Sequence, residues 1–267
     1  PTTVVFENPE FMKELKKMAD NRGGLCHTHL HPRPDEIKKC GELYNCRPHQ
    51  WLEEIGWIDK NVSFAHISRH NAEELDIVAR NGASVTQSPS CHMRLGYPIA
   101  PALEARDRGI PVSIGVDGGA SNDSGDMLGE LRTMRYVHRI DGGHPGYGPE
   151  RWINAKEVFE MATVNGAKCL NRDDIGMLKE GMAADLVLFS MIQPGYAGAL
   201  TDPRGALLYC GNNHLADTTI VNGNVLIENG IFLAGDLNQI VEDANRSTAR
   251  ILKLVKDKTG IDYRMEA

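Results

Sequence analysis

The sequence contains no uninterrupted apolar run of about 18 residues or more, the length needed to span a bilayer. It lacks a basic excess: Asp and Glu outnumber Lys and Arg by 36 to 29, and the net charge of -7 argues against a nucleic-acid binder, which shows a basic face. No CxxC pair occurs. Cys26, Cys40, Cys46, Cys91, Cys169 and Cys210 are scattered through 267 residues, as expected of reduced thiols in a cytoplasmic protein and not of a disulfide framework. The opening PTTVVFENPEF has neither a basic segment nor an apolar one, so a signal peptide is not expected there, and it begins without Met. Repeats of fixed period and low-complexity tracts are also missing. What is present is an ordinary globular composition, 41% apolar and 24% charged, in a chain long enough for one large domain or two small ones.

Along this chain helix-like and strand-like segments alternate. Asn8 to Asn21 reads as a helix, with Asn8 as N-cap, Pro9 in the first turn, and Phe11, Leu15 and Met18 on one face. Strands are expected at Leu25–Leu30, Val62–His66, Ala83–Pro89 and Val112–Asp117. Helices are expected at Asp35–Tyr44, Pro48–Ile55, Asn71–Asn81 and Pro98–Gly109, with a loop at SCHMRLG. Such spacing suits βα units of a parallel sheet. After Asp117, Met127–Ile140 and Ala155–Leu170 read as helices joined by a Gly/Pro-rich loop. Short β-like runs follow at Ala184–Phe189, Ala206–Cys210 and Asp217–Gly230. The last contains Asn222-Gly223 between apolar runs, a hairpin signal, and a helix over about Asp236 to Val255 closes the pattern.

The polar residues fall where chemistry is usually placed. His27, His29 and His31 alternate and so share a strand face. His29, His66 and Asp117 lie at the C-terminal ends of three expected strands, and the fourth delivers Ser88, Ser90 and His92 nearby. Active sites of α/β barrels sit at that end. Imidazoles and a carboxylate together suit zinc or ferrous iron, and a bound divalent ion supplies hydroxide at neutral pH. Asp117 could then hold the metal and accept a proton, and His66 could bind the metal or stabilise developing charge.

HTHL (His27–Leu30), FAH (Phe64–His66), SPSCHMRL (Ser88–Leu95) and VDGGASND (Val116–Asp123) resemble barrel motifs of the amidohydrolase superfamily. They are most similar to the cytosine/guanine-deaminase-like branch that includes triazine hydrolases and 8-oxoguanine or pterin deaminases. ATVNGAKCL, DIGMLKEGMAADLVLF and IVNGNVLIENG further on resemble the same family, so the likeness covers essentially the whole chain. It implies an α/β fold, the C-terminal half (strands 5–8) of a distorted TIM (β/α)8 barrel over 1–178, with strands of a small β-sandwich over 179–233 and a C-terminal helix over 234–267. It implies one divalent metal, zinc or iron, with His29, His66 and Asp117 as ligands and His66 and Asp117 as catalytic groups. Asn122 and Asp123 would support the loop after the last strand, and Met93 to Leu95 would lie beside the substrate pocket.

Departures from the family pattern bear on function. The family opens its barrel with a His-x-His strand; His27-x-His29 imitates it, but the order of motifs that follows matches strands five to eight. Four such strands would leave two open edges, so the other half is expected from a longer chain or a partner chain. The glutamate that follows the strand-five histidine by three residues in many family deaminases is Pro32, leaving Asp35 or Glu36 as proton-shuttle candidates; Glu36 is the one carried forward. His92 stands where the motif usually has Asn, and Gln87 replaces a His often found before the Pro. His92, Arg94 and Asn122 are the candidate substrate contacts. The resemblance implies a metal-dependent hydrolase, with metal hydroxide attacking a C–N carbon of an amino-substituted purine, pterin or triazine, in at least a homodimer that takes neither nucleic acid nor membrane as partner. Chlorotriazine or cyclic-amide hydrolysis on the same scaffold, and a non-catalytic subunit lacking the first His-x-His, are the alternatives.

Overall fold

A computed structural model describes residues 4–30, 33–140, 148–210 and 215–263. His31, Pro32 and most of the Gly/Pro-rich loop after Ile140 lie outside the described residues. The chain divides into two compact units, Pro1–Ala183 with Met191–His214, and Ala184–Ser190 with Leu215–Ala267.

The first unit is built from α1 (Pro9–Asp20), β1 (Cys26–Leu30), α2 (Pro34–Tyr44), α3 (Pro48–Glu54), β2 (Val62–His66), α4 (Ala72–Arg80), β3 (Ser84–Gln87), α5 (Pro89–Leu95), α6 (Ala102–Asp107), β4 (Val112–Ile114), α7 (Met127–Val137), α8 (Ala155–Ala162) and α9 (Val164–Cys169). The strands form one parallel sheet in the order β1-β2-β3-β4. Register sorts its residues by face. Thr28, Phe64, Val85 and Val112 align in one row, all buried, and the His49 ring of α3 meets Phe64 edge-on. The alternate row is His29, Ala65, Thr86 and Ser113, where the Thr86 and Ser113 hydroxyls hydrogen-bond at 2.9 Å. One face is therefore a conventional apolar core face, and the other is small and polar.

Capping chemistry sets several element ends. The Asn8 side chain accepts from Glu10 and Phe11 N–H, and Asn71 with Glu74 forms a capping box on α4. The buried face of α1 departs from expectation: Met12 and Lys16 point inward while Phe11 and Met18 are exposed. Lys16 achieves this by burying its stem and placing Nζ on Asp20 and Asp59 at 2.5 and 2.6 Å.

Four further segments differ from the sequence expectation. SCHMRLG is not a loop but α5, started by Pro89 at the first turn and ended by Gly96 at φ +67. Ala155–Leu170 is not one helix; it breaks at Thr163 (φ -122, ψ -86) into α8 and α9. ALLYC is not a strand. It lies in helix α10 (Pro203–Tyr209), capped by Asp202 and tied to α7 by the Arg132 guanidinium donating to the Leu208 carbonyl at 2.7 Å; periodicity cannot separate a five-residue apolar run in a strand from one in a buried helix. β4 ends at Ile114, so Asp117 lies three residues past the strand.

The second unit is an antiparallel sheet of β5 (Leu186–Leu188), β6 (Thr218–Val221), β7 (Asn224–Glu228) and β8 (Ile231–Phe232), in that order, together with α11 (Leu237–Thr259). Asn222 and Gly223 both adopt positive φ in the β6–β7 turn, as a two-residue primed hairpin requires. No helix among the described residues is long and apolar enough to cross a membrane.

Candidate metal centre

At the C-terminal edge of the parallel sheet, His29, His66 and Asp117 each bring one ligand-type atom to within 4.8 Å of the others. The His29 and His66 ring centroids are 4.8 Å apart. His29 reaches this point by ordinary strand alternation. His66 does not: the ladder pairs it with Leu30, whose side chain belongs to the opposite face from His29. A regular strand would carry the imidazole away from the cluster. Instead the backbone turns at His66, with φ +74 and the Ile67 N–H donating back to the Ala65 carbonyl at 3.1 Å. This is the positive-φ γ-turn, a rare and strained conformation. Asp117 is likewise at φ +59, followed by Gly118 at φ +75. Two of the three convergent residues thus sit in a backbone region that β-carbon sterics disfavour, as is common at functional sites.

Burial around the cluster is uneven. His66 and His92 are buried and His29 is half-buried. Desolvation, reinforced by the neighbouring His92 and His29 rings, pushes the His66 imidazole down to about 4, so it is neutral at physiological pH. A neutral imidazole is the form that binds a metal. The Cys91 thiol, buried and hydrogen-bonded to the Asp117 carboxylate, is pushed up to about 12 and stays protonated.

The other candidates separate clearly by position. His92, on α5, contacts His66 through Nε2 and Nδ1 at 3.0 Å. Asn122 is buried and donates to Glu130 at 3.0 Å while accepting from Ser124. Arg94 is exposed and pairs with Asp123, and Met93 and Leu95 are also exposed on α5. Glu36 is buried in the first turn of α2 and is not one of the three groups that converge.

Glu130 and Cys91 were not singled out from the sequence. The Glu130 carboxylate, buried on α7, accepts from the Ser90 N–H and from the Asn122 amide, both at 3.0 Å. It ties the start of α5 to the loop after Asp117. Its phase with Met134 and Val137 on the inward face of α7 was the available signal. Desolvation raises its pKa. Glu130→Ala should leave the buried Asn122 amide and the part-buried Ser90 N–H without their acceptor and lower stability by about 2 kcal/mol, measured by urea denaturation.

Two imidazoles and a carboxylate match the three protein donors of a catalytic zinc site. A parallel α/β sheet carrying that set at and just past its C-terminal strand ends defines a protein with a candidate metal centre at the usual position for α/β enzymes. The family model described as the amidohydrolase family matches residues 3–226, and the chain belongs to that family. It is 32% identical over 237 residues to 5-methylthioadenosine/S-adenosylhomocysteine deaminase of Desulfitobacterium hafniense, covering 89% of this chain and 53% of that protein. It is 34% identical over 241 residues to 8-oxoguanine deaminase of Pseudomonas aeruginosa, covering 90% and 52%. Among solved structures, atrazine chlorohydrolase from Arthrobacter aurescens complexed with zinc superposes with a TM-score of 0.84 at 34% identity, over 90% of this chain and 52% of that one. The chain spans about half the length of the curated relatives it matches.

Proposed function

We propose that the protein is a metal-dependent aminohydrolase that removes an amino group from a purine, pterin or triazine ring. The observation that carries this reading is the convergence of His29, His66 and Asp117, two of them at strained backbone positions. The zinc complex of the similar chlorohydrolase and the deaminase names of the similar proteins support it. His29, His66 and Asp117 would hold one divalent ion, zinc foremost and iron second. When bound, such an ion lowers the pKa of water to about 7 and so supplies a nucleophile at neutral pH. Asp117 accepts the proton released as the ring carbon is attacked. His66, neutral and buried, presents a ring nitrogen to that ion. Arg94, on α5 beside Asp123, and Asn122, in the loop after Asp117, would contact the substrate, and Glu36 would protonate a ring nitrogen.

The proposal includes the architecture. The four parallel strands would be the second half of a distorted (β/α)8 barrel over residues 1–178, completed by strands of a longer chain or of a partner. Sandwich strands would follow within 179–233, amended so that 191–214 belongs with the first unit, and a helix over 234–267. The small polar face of the sheet, with His29, Thr86 and Ser113 in one row, fits a barrel interior. Assembly as at least a homodimer and a cytoplasmic location, which the six free cysteines suit, complete the reading.

Pro32 in place of a proton-shuttling glutamate favours a second reading, chlorotriazine hydrolysis, because chloride leaves without protonation. Product analysis separates them. The intact zinc-loaded protein, offered aminopurines, pterins and amino- or chlorotriazines, should release ammonia, and chelation should reduce the rate by at least about 100-fold, restored by zinc. Chloride release without ammonia would establish the second reading, and no turnover of any of these by the zinc-loaded protein would overturn both.

A further inference from the structure

The His92 side chain lies behind the metal centre, and its hydrogen bonds define a direction. Its Nδ1 is 2.9 Å from the Pro98 carbonyl oxygen. A carbonyl oxygen can only accept, so Nδ1 carries the proton. A neutral imidazole protonated at Nδ1 has its lone pair on Nε2, and that nitrogen is 3.0 Å from Nδ1 of His66. The His66 Nδ1–H must then donate to it, which leaves the lone pair of His66 on Nε2. Both rings are buried, which favours their neutral forms and keeps water from competing for these bonds.

We propose that His92 is a positioning residue: the chain from Pro98 through His92 to His66 fixes the tautomer of His66 so that its Nε2 is the atom offered to the metal centre. This deepens the metal-hydrolase reading and takes its relevance from it, although the tautomer itself does not depend on activity. The backbone is built to hold the relay. Gly96 ends α5 in the left-handed region, the Tyr97 N–H donates to the His92 carbonyl at 2.8 Å, and the Glu130 carboxylate anchors the Ser90 N–H two residues before His92. Metal-binding histidines are commonly oriented in this way by an acceptor on the far ring nitrogen; here the acceptor is a second histidine, itself oriented by a main-chain carbonyl.

The test is made on the intact protein with ¹⁵N-labelled histidine. Long-range ¹H–¹⁵N spectra of the metal-free protein should show both His66 and His92 as the Nδ1–H tautomer, and zinc should perturb the Nε2 resonance of His66. Two variants divide positioning from packing. His92→Phe keeps the ring volume and removes the acceptor, and should weaken zinc affinity about 10- to 100-fold. His92→Gln, whose carbonyl can occupy the place of Nε2, should bind zinc within about threefold of wild type. An Nε2–H tautomer at His66, or a Phe variant with unchanged zinc affinity, would overturn the relay. Loss of the expected hydrolysis with the tautomer intact would count against the metal-hydrolase reading and leave the relay standing.

Discussion

Asp117→Asn is expected to reduce turnover by about 10²- to 10⁴-fold, the range over which a positioned proton acceptor contributes to catalysis. Asparagine preserves the shape of the side chain and removes both the negative charge and the basic oxygen. It is also one of the few residues that tolerates positive φ, so the φ +59 backbone at this position need not move. The Cys91 thiol that bonds the carboxylate can donate to the amide oxygen instead. The thermal midpoint should therefore stay within a few degrees of wild type while activity collapses. Retention of more than a tenth of the activity would remove Asp117 from the chemistry, and joint loss of activity and folding would show that its role is structural.

The second large effect concerns His66, where stability and function are expected to part. His66→Ala and His66→Gly both remove the imidazole, and each should lower activity by at least about 100-fold. The two variants differ in their backbones. Alanine retains the β-carbon that conflicts with φ +74, whereas glycine enters that region freely. The glycine variant should therefore be more stable than the alanine variant by about 1–2 kcal/mol, the cost of holding a residue with a side chain in a sparsely populated positive-φ conformation. Denaturant unfolding of the pair measures this. Equal stabilities would mean that the γ-turn at His66 stores no strain and that the imidazole's approach to His29 is not bought with backbone energy.

These expectations show how unevenly the site was written in the sequence. VSFAH announces a buried strand ending in a histidine, and CHTHL places His29 by alternation alone, so the parallel sheet and the C-terminal placement of His29, His66 and Asp117 were legible. The means by which His66 joins His29 was not. Nothing in a histidine codon signals positive φ, and strand periodicity extended one residue too far gives the wrong face. The helix α5 was hidden because Ser88, Pro89, Ser90 and Gly96 are turn residues by composition, although Pro89 and Gly96 also serve as the start and stop of a short helix. That misreading hid the relation of His92 to His66, since a loop histidine has no predictable partner. Glu130 was missed for a different reason: a glutamate on an amphipathic helix normally faces water, and its buried role follows only from its phase with Met134 and Val137.

The central claim is that His29, His66 and Asp117 together hold a divalent metal. The most direct measurement is the anomalous diffraction of crystals of the intact, zinc-saturated protein, recorded on both sides of the zinc absorption edge. The account predicts one strong peak bonded to an imidazole nitrogen of His29, Nε2 of His66 and an Asp117 carboxylate oxygen, at about 2.0–2.2 Å from each. A saturated zinc site elsewhere in the molecule, or no peak between these three side chains, would contradict it.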